Sequence, residues 1–300
     1  MALQSRAIGA LPIDEKVIFT SHKGAYTRRV EKRQAKLLEK AAFLAPFLEE
    51  GERILQVTTG CSPMSMIEQL LTGWMVLYLK RSLLIFTNRR VFHVPTKRDF
   101  SYRSSISQIR YADCKLLAMK GRTLVVQYRD GSKEKFFYVP RREAKRLKVL
   151  LPSIPKEGLR SEAGRRVHLC PRCTRELTPG VFTCPSCQLE FKSSSEGRRR
   201  SILFPGGGYF YASHPFLGLN DAIAESVLIF FLITCVLDAL RAESGSGQLW
   251  GAAGMIALAL TLEKLLTVYH ADHFLKEFLP KDRKIEPGSA PAFNRPIPIG

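Results

Sequence analysis

Ser82-Leu83-Leu84-Ile85-Phe86-Thr87-Asn88-Arg89-Arg90-Val91-Phe92-His93-Val94 decides the fold. Two runs rich in β-branched and aromatic side chains, Ser82–Phe86 and Val91–Val94, flank the short connection Asn88-Arg89, which is the pattern of an antiparallel hairpin. The same texture extends both ways. Arg53–Thr59, Trp74–Leu79, Ile106–Tyr111, Cys114–Met119, Thr123–Tyr128 and Lys135–Val139 also read as strands. Lys120-Gly121 and Asp130-Gly131 mark further turns, the second predicting a type I′ hairpin because Gly tolerates positive φ. After Pro140, the residues Ala144, Leu147, Leu150 and Leu151 fall on one face of a helix over Arg141–Leu151. Many antiparallel strands closed by one helix outline a small β-rich barrel or sandwich with a C-terminal capping helix.

Upstream, Tyr26–Ala45 is helical in pattern, with Leu37, Ala41, Leu44 and Leu48 at three- and four-residue steps and Pro46 ending the regular part. Arg29, Lys32, Arg33, Lys36 and Lys40 share the opposite face. Two readings are open: a core-packed helix with a solvated basic face, or a helix lying on anionic lipid.

The run Phe47-Leu-Glu-Glu-Gly-Glu-Arg-Ile-Leu55, followed by Leu84-Ile-Phe-Thr-Asn-Arg-Arg-Val-Phe92, resembles the bacterial pleckstrin-homology-like (PH-like) family. The likeness covers about a third of the chain. It implies a binding or scaffolding module without catalytic residues. Residues 61–73 look like an extra helical element between the first two strands, a departure from a minimal domain of that family.

Seven cysteines are present, and four form two C-x-x-C pairs, Cys170/Cys173 and Cys184/Cys187, separated by ten residues. Cys61, Cys114 and Cys235 are scattered. An odd total with paired spacing favours a metal site in a reducing compartment over a disulfide framework. Pro171 and Pro185 stiffen both turns, and the repeated C-P-x-C resembles zinc ribbons. Four thiolates saturate a tetrahedral Zn²⁺ and leave no open position for water, so the expected role is structural; iron in a rubredoxin-like site and a pair of redox dithiols are the alternatives. His168 is read as a bystander.

Charge is unevenly distributed. The chain carries +19, but residues 1–200 hold 39 basic against 18 acidic side chains and residues 201–300 hold 7 against 9, giving +21 and −2. Ile223–Leu240 and Leu249–Tyr269 are apolar segments of 18 and 21 residues, interrupted only by Glu225, Asp238, Glu263 and Lys264. As helices they reach about 27 and 31 Å, enough to cross a bilayer. A buried soluble hairpin is the competing reading, and Glu225 or Glu263 as a proton or ion site is a further one. The short Gly/Ser-rich link Arg241–Gln248 requires antiparallel neighbours. Basic flanks, Arg198, Arg199 and Arg200 before and Lys276, Lys281, Arg283 and Lys284 after, place both termini in the cytoplasm by the positive-inside rule. Met1–Thr20 lacks the apolar core of a secretory signal, which fits a cytoplasmic amino-terminal portion.

Ahead of the apolar segments, the stretch Leu203–Gly218 is rich in glycine and aromatics. It lacks the G-x-x-x-x-G-K frame of a phosphate-binding loop and resembles the lead-in to short bacterial membrane hairpins, where aromatics sit at headgroup level. His270, Asp272 and His273 read as a polar helix end. No frame for catalytic histidine or serine is present.

The expected organisation is therefore multi-domain: an N-terminal basic helical segment (1–46), a PH-like domain (47–151), a linker (152–167), a zinc ribbon (168–192), a Gly/aromatic lead-in (198–220), a transmembrane α-hairpin (221–279) and a disordered tail (280–300). The expected function is a non-enzymatic, membrane-anchored binding or scaffold protein of the cytoplasmic (inner) membrane. Its partners would be the anionic membrane surface, met by Arg141, Arg142, Lys145, Arg146, Lys148 and Arg198–Arg200, and an unidentified protein. The alternative is a nucleic-acid-binding zinc-ribbon protein with a basic front.

Overall fold

The computed structural model describes residues 11–64, 79–242, 246–282, 285 and 287–289. The expected strand at Trp74–Leu79 and helical element at 61–73 fall mostly outside the described residues, as do Arg283, Lys284 and most of the tail. The chain divides into two compact units, Met1–Leu189 with Asp282–Gly300, and Glu190–Lys281.

In the first unit the hairpin Arg81–Thr87 (β2) and Arg90–Pro95 (β3) pairs in the register Leu84↔His93 and Ile85↔Phe92. The Thr87 hydroxyl accepts from the backbone N–H groups of Arg89 (3.1 Å) and Arg90 (3.0 Å), which tightens the turn. Ile54–Cys61 (β1) and Ile106–Arg110 (β4) flank this hairpin in an antiparallel sheet. Cys114–Lys120 (β5), Thr123–Tyr128 (β6) and Lys133–Phe136 (β7) form a second, three-stranded sheet. The sheets do not close into a barrel. An isolated bridge joins Cys61 and Phe137, the Cys61 N–H donating to the Phe137 carbonyl at 2.8 Å.

Side chains alternate across β2 and β3, and both faces are covered. Leu84, Phe86 and Val91 pack with Leu117, Leu124, Val126 and Phe136 of the second sheet and with Ala144 and Leu147. Leu83, Ile85, Phe92 and Val94 pack on the other side with Ile18, Leu37, Leu38, Ala41 and Leu44. Two apolar layers explain why these strands read as nearly unbroken hydrophobic runs rather than as an in/out alternation.

After the short helix Glu15–Ile18 (α1), the helix Arg28–Lys40 (α2) supplies much of the second layer, and a 3-10 turn over Ala42–Phe47 that includes Pro46 ends it. Its buried Gln34 amide donates to the Val57 carbonyl (2.9 Å) and accepts from the Val57 N–H (3.0 Å), clipping the helix to β1. Of the two readings of this helix, the core-packed one holds: its apolar face lies on the sheet, and Arg29, Lys32, Arg33 and Lys36 are exposed.

Two local expectations are corrected. The β6–β7 connection is a longer loop, with Gly131 N–H donating to the Tyr128 carbonyl (3.2 Å) and Tyr128 N–H to that of Ser132 (2.9 Å). Within it Gly131 takes a positive φ (88°) and Asp130 does not, so the turn is not type I′, which needs two such residues. β7 ends at Phe136 rather than at Val139 because Tyr138 turns left-handed (φ 60°).

In the second unit the helices Ser194–Leu203 (α4) and Gly207–Tyr211 (α5) precede two long ones, Pro215–Arg241 (α6) and Ser246–Leu275 (α7); α3 is the capping helix Arg141–Leu150 of the first unit. The pairs Asp221–Thr267 and Glu225–Lys264 show that α6 and α7 are antiparallel neighbours. The Gly-rich stretch is the packing hub of this unit. A Cβ on Gly206 (φ 67°) would collide with the Gly218 carbonyl, and one on Gly208 with the Ser201 hydroxyl and the Ala271 side chain. Gly208→Leu is therefore expected to separate α5 from α4 and α7 and to cost on the order of 3 kcal/mol. The measurement is the thermal midpoint of the detergent-solubilised chain; an unchanged midpoint would argue against the packing role.

Candidate metal centre

Each C-x-x-C pair folds into the same small turn. In the first, Cys170 N–H donates to the Arg175 carbonyl (2.8 Å) and Thr174 N–H to the Cys170 carbonyl (2.9 Å). The second repeats this with Cys184 N–H to Leu189 (2.9 Å) and Gln188 N–H to Cys184 (2.9 Å). The residue after each second cysteine is left-handed, Thr174 at φ 64° and Gln188 at φ 57°. The equivalence is a consequence of the shared C-P-x-C sequence.

These two turns bring the four sulfurs within 4.8 Å of one another. Cys170 Sγ lies 3.5 Å from Cys187 Sγ, and Cys173 Sγ lies 3.6 Å from Cys184 Sγ. A tetrahedron with metal–sulfur bonds of about 2.3 Å has edges of about 3.8 Å, so the spacing fits a single tetrahedral ion. Cys170 and Cys184 are buried, whereas Cys173 and Cys187 are partly exposed. A hydrogen bond from the Cys170 thiol outweighs burial and holds Cys173 down at about 5, while the same contact together with burial pushes Cys170 well up. Cysteine binds a metal as thiolate, so metal entry releases protons. By contrast, burial pushes Cys61 to about 11 and Cys114 to about 12, which keeps both as inert thiols.

The cysteine cluster is stitched to the sheet. Val167–Leu169 (β8) pairs antiparallel with β4, placing His168 opposite Ser107, and Glu176–Leu177 (β9) pairs with β8. The sheet is therefore six-stranded, in the order β1-β2-β3-β4-β8-β9. Sequence reasoning separated 168–192 from the strands behind a linker and missed this pairing, because three residues of strand carry too little pattern to name a partner.

A buried polar network crosses the same sheet from β3 through β4 to β9. The Arg90 guanidinium, 3% exposed, donates to both carboxylate oxygens of Glu52, 1% exposed, at 3.0 and 2.7 Å, and to the Phe47 carbonyl at 3.0 Å. Arg90 also donates to Gln108, whose amide donates to Glu176 of β9 at 2.6 Å. Burial alone would raise the Glu52 carboxyl. The hydrogen bonds and charge of Arg90, with the Glu49 N–H and the Thr87 hydroxyl, outweigh it and hold the group below its usual value. Both partners stand inside the quoted sequence runs, Glu52 in the first and Arg90 in the second, yet only the fold brings them together.

The residues expected at a lipid surface separate. Arg141, Arg142, Lys145 and Lys148 are exposed on α3, and Arg198, Arg199 and Arg200 on α4. Arg146 does not belong with them: it is 7% exposed, and its guanidinium donates to the carbonyls of Val17 (3.2 Å) and Ile18 (2.7 Å), a structural clamp on α1. Arg200 is engaged with Glu196 (2.7 Å) and Arg198 with Asp272 (3.3 Å).

No protein-family model and no curated protein matches the chain. Among solved structures, the crystal structure of the C-terminal domain of an unknown protein from Leishmania infantum is similar over 35% of this chain and 87% of its own, at 15% identity and a TM-score of 0.25. A likeness of that size carries no argument about fold or function.

Proposed function

We propose that the chain is a membrane-anchored, non-enzymatic binding or scaffold protein, facing the cytoplasm of a bacterium and held in its inner membrane by the α6/α7 hairpin. One observation carries this reading. α6 and α7 are 27 and 30 residues long, and only 11% of the apolar window of each is buried within the protein. Phe216, Ile223, Phe230, Met255 and Leu265 are all more than half exposed. The core helices of a soluble protein would bury such side chains, and a soluble monomer does not leave a face of this extent in water. At about 1.5 Å per residue each helix exceeds the roughly 30 Å hydrocarbon core.

The two antiparallel sheets capped by α3 support reading residues 47–151 as a PH-like module, and the tetrahedral sulfur spacing supports a structural Zn²⁺. The exposed bases of α3 would meet acidic headgroups, each contributing about 1 kcal/mol near the surface. Reversing Arg141, Arg142, Lys145 and Lys148 to Glu together should lower retention on vesicles containing anionic lipid at least tenfold without changing the metal content. The measurement is co-sedimentation of a fragment ending before α6. Equal retention would remove lipid from the list of partners, and tight DNA or RNA binding lost with these charges would favour the nucleic-acid reading.

A further inference from the structure

The second unit holds a group of acids that neither the metal centre nor the apolar surface accounts for. Asp221 and Glu225 on α6 and Glu263 on α7 present carboxylate oxygens that all lie within 4.8 Å of one another. The Thr267 hydroxyl is 3.2 Å from Asp221 and 3.0 Å from Glu263. Glu225 is fully buried; its Oε2 takes the Lys264 ammonium at 2.6 Å, while its Oε1 has no hydrogen-bond partner. Glu263 Oε2 is likewise buried without a partner. The second contact of Lys264 is the Ser201 carbonyl at 2.8 Å, so Lys264 is already engaged on both sides.

A buried carboxylate oxygen without a donor or cation is costly, because nothing replaces the water it has lost. Three carboxylates less one ammonium leave a formal charge of −2 on the cluster. One divalent cation balances that charge. Donors bonded to one ion at about 2.3 Å stand at most about 4.6 Å apart, so carboxylate oxygens this close together can share an ion, and an all-oxygen donor set suits Mg²⁺, Ca²⁺ or Mn²⁺ rather than a thiophilic metal. We propose that Asp221, Glu225 and Glu263 form a binding site for one hard divalent cation between α6 and α7, distinct in chemistry from the cysteine centre. Because Glu225 is buried by the protein itself, the proposal holds whether or not the hairpin spans a bilayer.

The test uses the full chain in detergent micelles, zinc-loaded and then cleared of other metals by chelation, with Mn²⁺ as the probe. The expected result is loss of the free-Mn²⁺ paramagnetic resonance signal to about one ion per chain, with Glu263→Gln and Asp221→Asn each weakening the affinity at least tenfold and Asp238→Asn, at an exposed acid outside the cluster, leaving it unchanged. As a second readout, Mn²⁺, Mg²⁺ or Ca²⁺ should raise the thermal midpoint of the unmutated chain where Na⁺ at equal ionic strength does not. An undiminished signal with no cation-dependent midpoint would overturn the proposal and leave a shared proton as the balancing charge. Binding that survives both cluster substitutions would also overturn it, by placing the ion elsewhere.

Discussion

Replacing Cys170 or Cys184 with Ser should abolish metal binding and destabilise the whole first unit. These two sulfurs are buried, and each is flanked by the backbone hydrogen bonds that shape its turn. Small thiolate modules derive about 10 kcal/mol or more of apparent free energy from zinc. A ribbon on a flexible linker would unfold alone and leave its neighbours intact. Here β8 completes the edge of β4, and Glu176 closes the chain of hydrogen bonds through Gln108 to Arg90. Loss of the metal should therefore reach the sheet, at a cost on the order of 3 kcal/mol, or about 6–12 °C in Tm for a unit of this size. Metal analysis and thermal melting of the same samples check both halves. Retained melting behaviour in a metal-free variant would show that the cluster and the sheet fold independently. Acid should release the metal as protons compete for the thiolates.

The second large effect concerns the buried pair. Glu52→Ala leaves the buried Arg90 guanidinium with only the partly exposed Glu49 carboxylate, at 3.2 Å, as counter-charge, which is expected to cost on the order of 3 kcal/mol. The double variant Glu52→Leu with Arg90→Met should recover part of this, since a neutral apolar pair needs no desolvation, but not all of it, because the Phe47 carbonyl and Gln108 then lose their donor. The pH dependence has a definite sign. The folded-state value of Glu52 is lower than that of the unfolded chain, so the stabilisation is fully present above the ordinary value of 4.5 and is lost as the pH falls through the folded value. Chemical denaturation at neutral and acid pH should show this loss in the unmutated chain and a shallower one in the double variant.

What could be read in the sequence follows the range over which each signal acts. β2, β3 and the turn at Asn88-Arg89 were legible because a hairpin is local and its two runs are marked by their own composition. The four cysteines were legible because C-P-x-C fixes each turn by itself. Burial of Arg146 was not: on the helix pattern it is one of five bases, and only the packing of α1 shows that its guanidinium is taken up by two carbonyls. The short helix α5 was hidden for a different reason, since a run of glycines has weak helix propensity and the close contacts that favour it come from α4, α6 and α7. Likewise Glu225 and Glu263 were visible as isolated charges in apolar segments, but Asp221, six residues into α6, joins them only once the helices pair.

The most direct test of the account is extraction of the intact chain from membranes with high salt and then alkaline carbonate. A hairpin whose apolar faces lie in the bilayer predicts that the chain stays in the pellet under both treatments and is released by detergent alone. Release of the folded, intact chain by salt or carbonate would contradict membrane anchoring and return α6 and α7 to an interface with another protein.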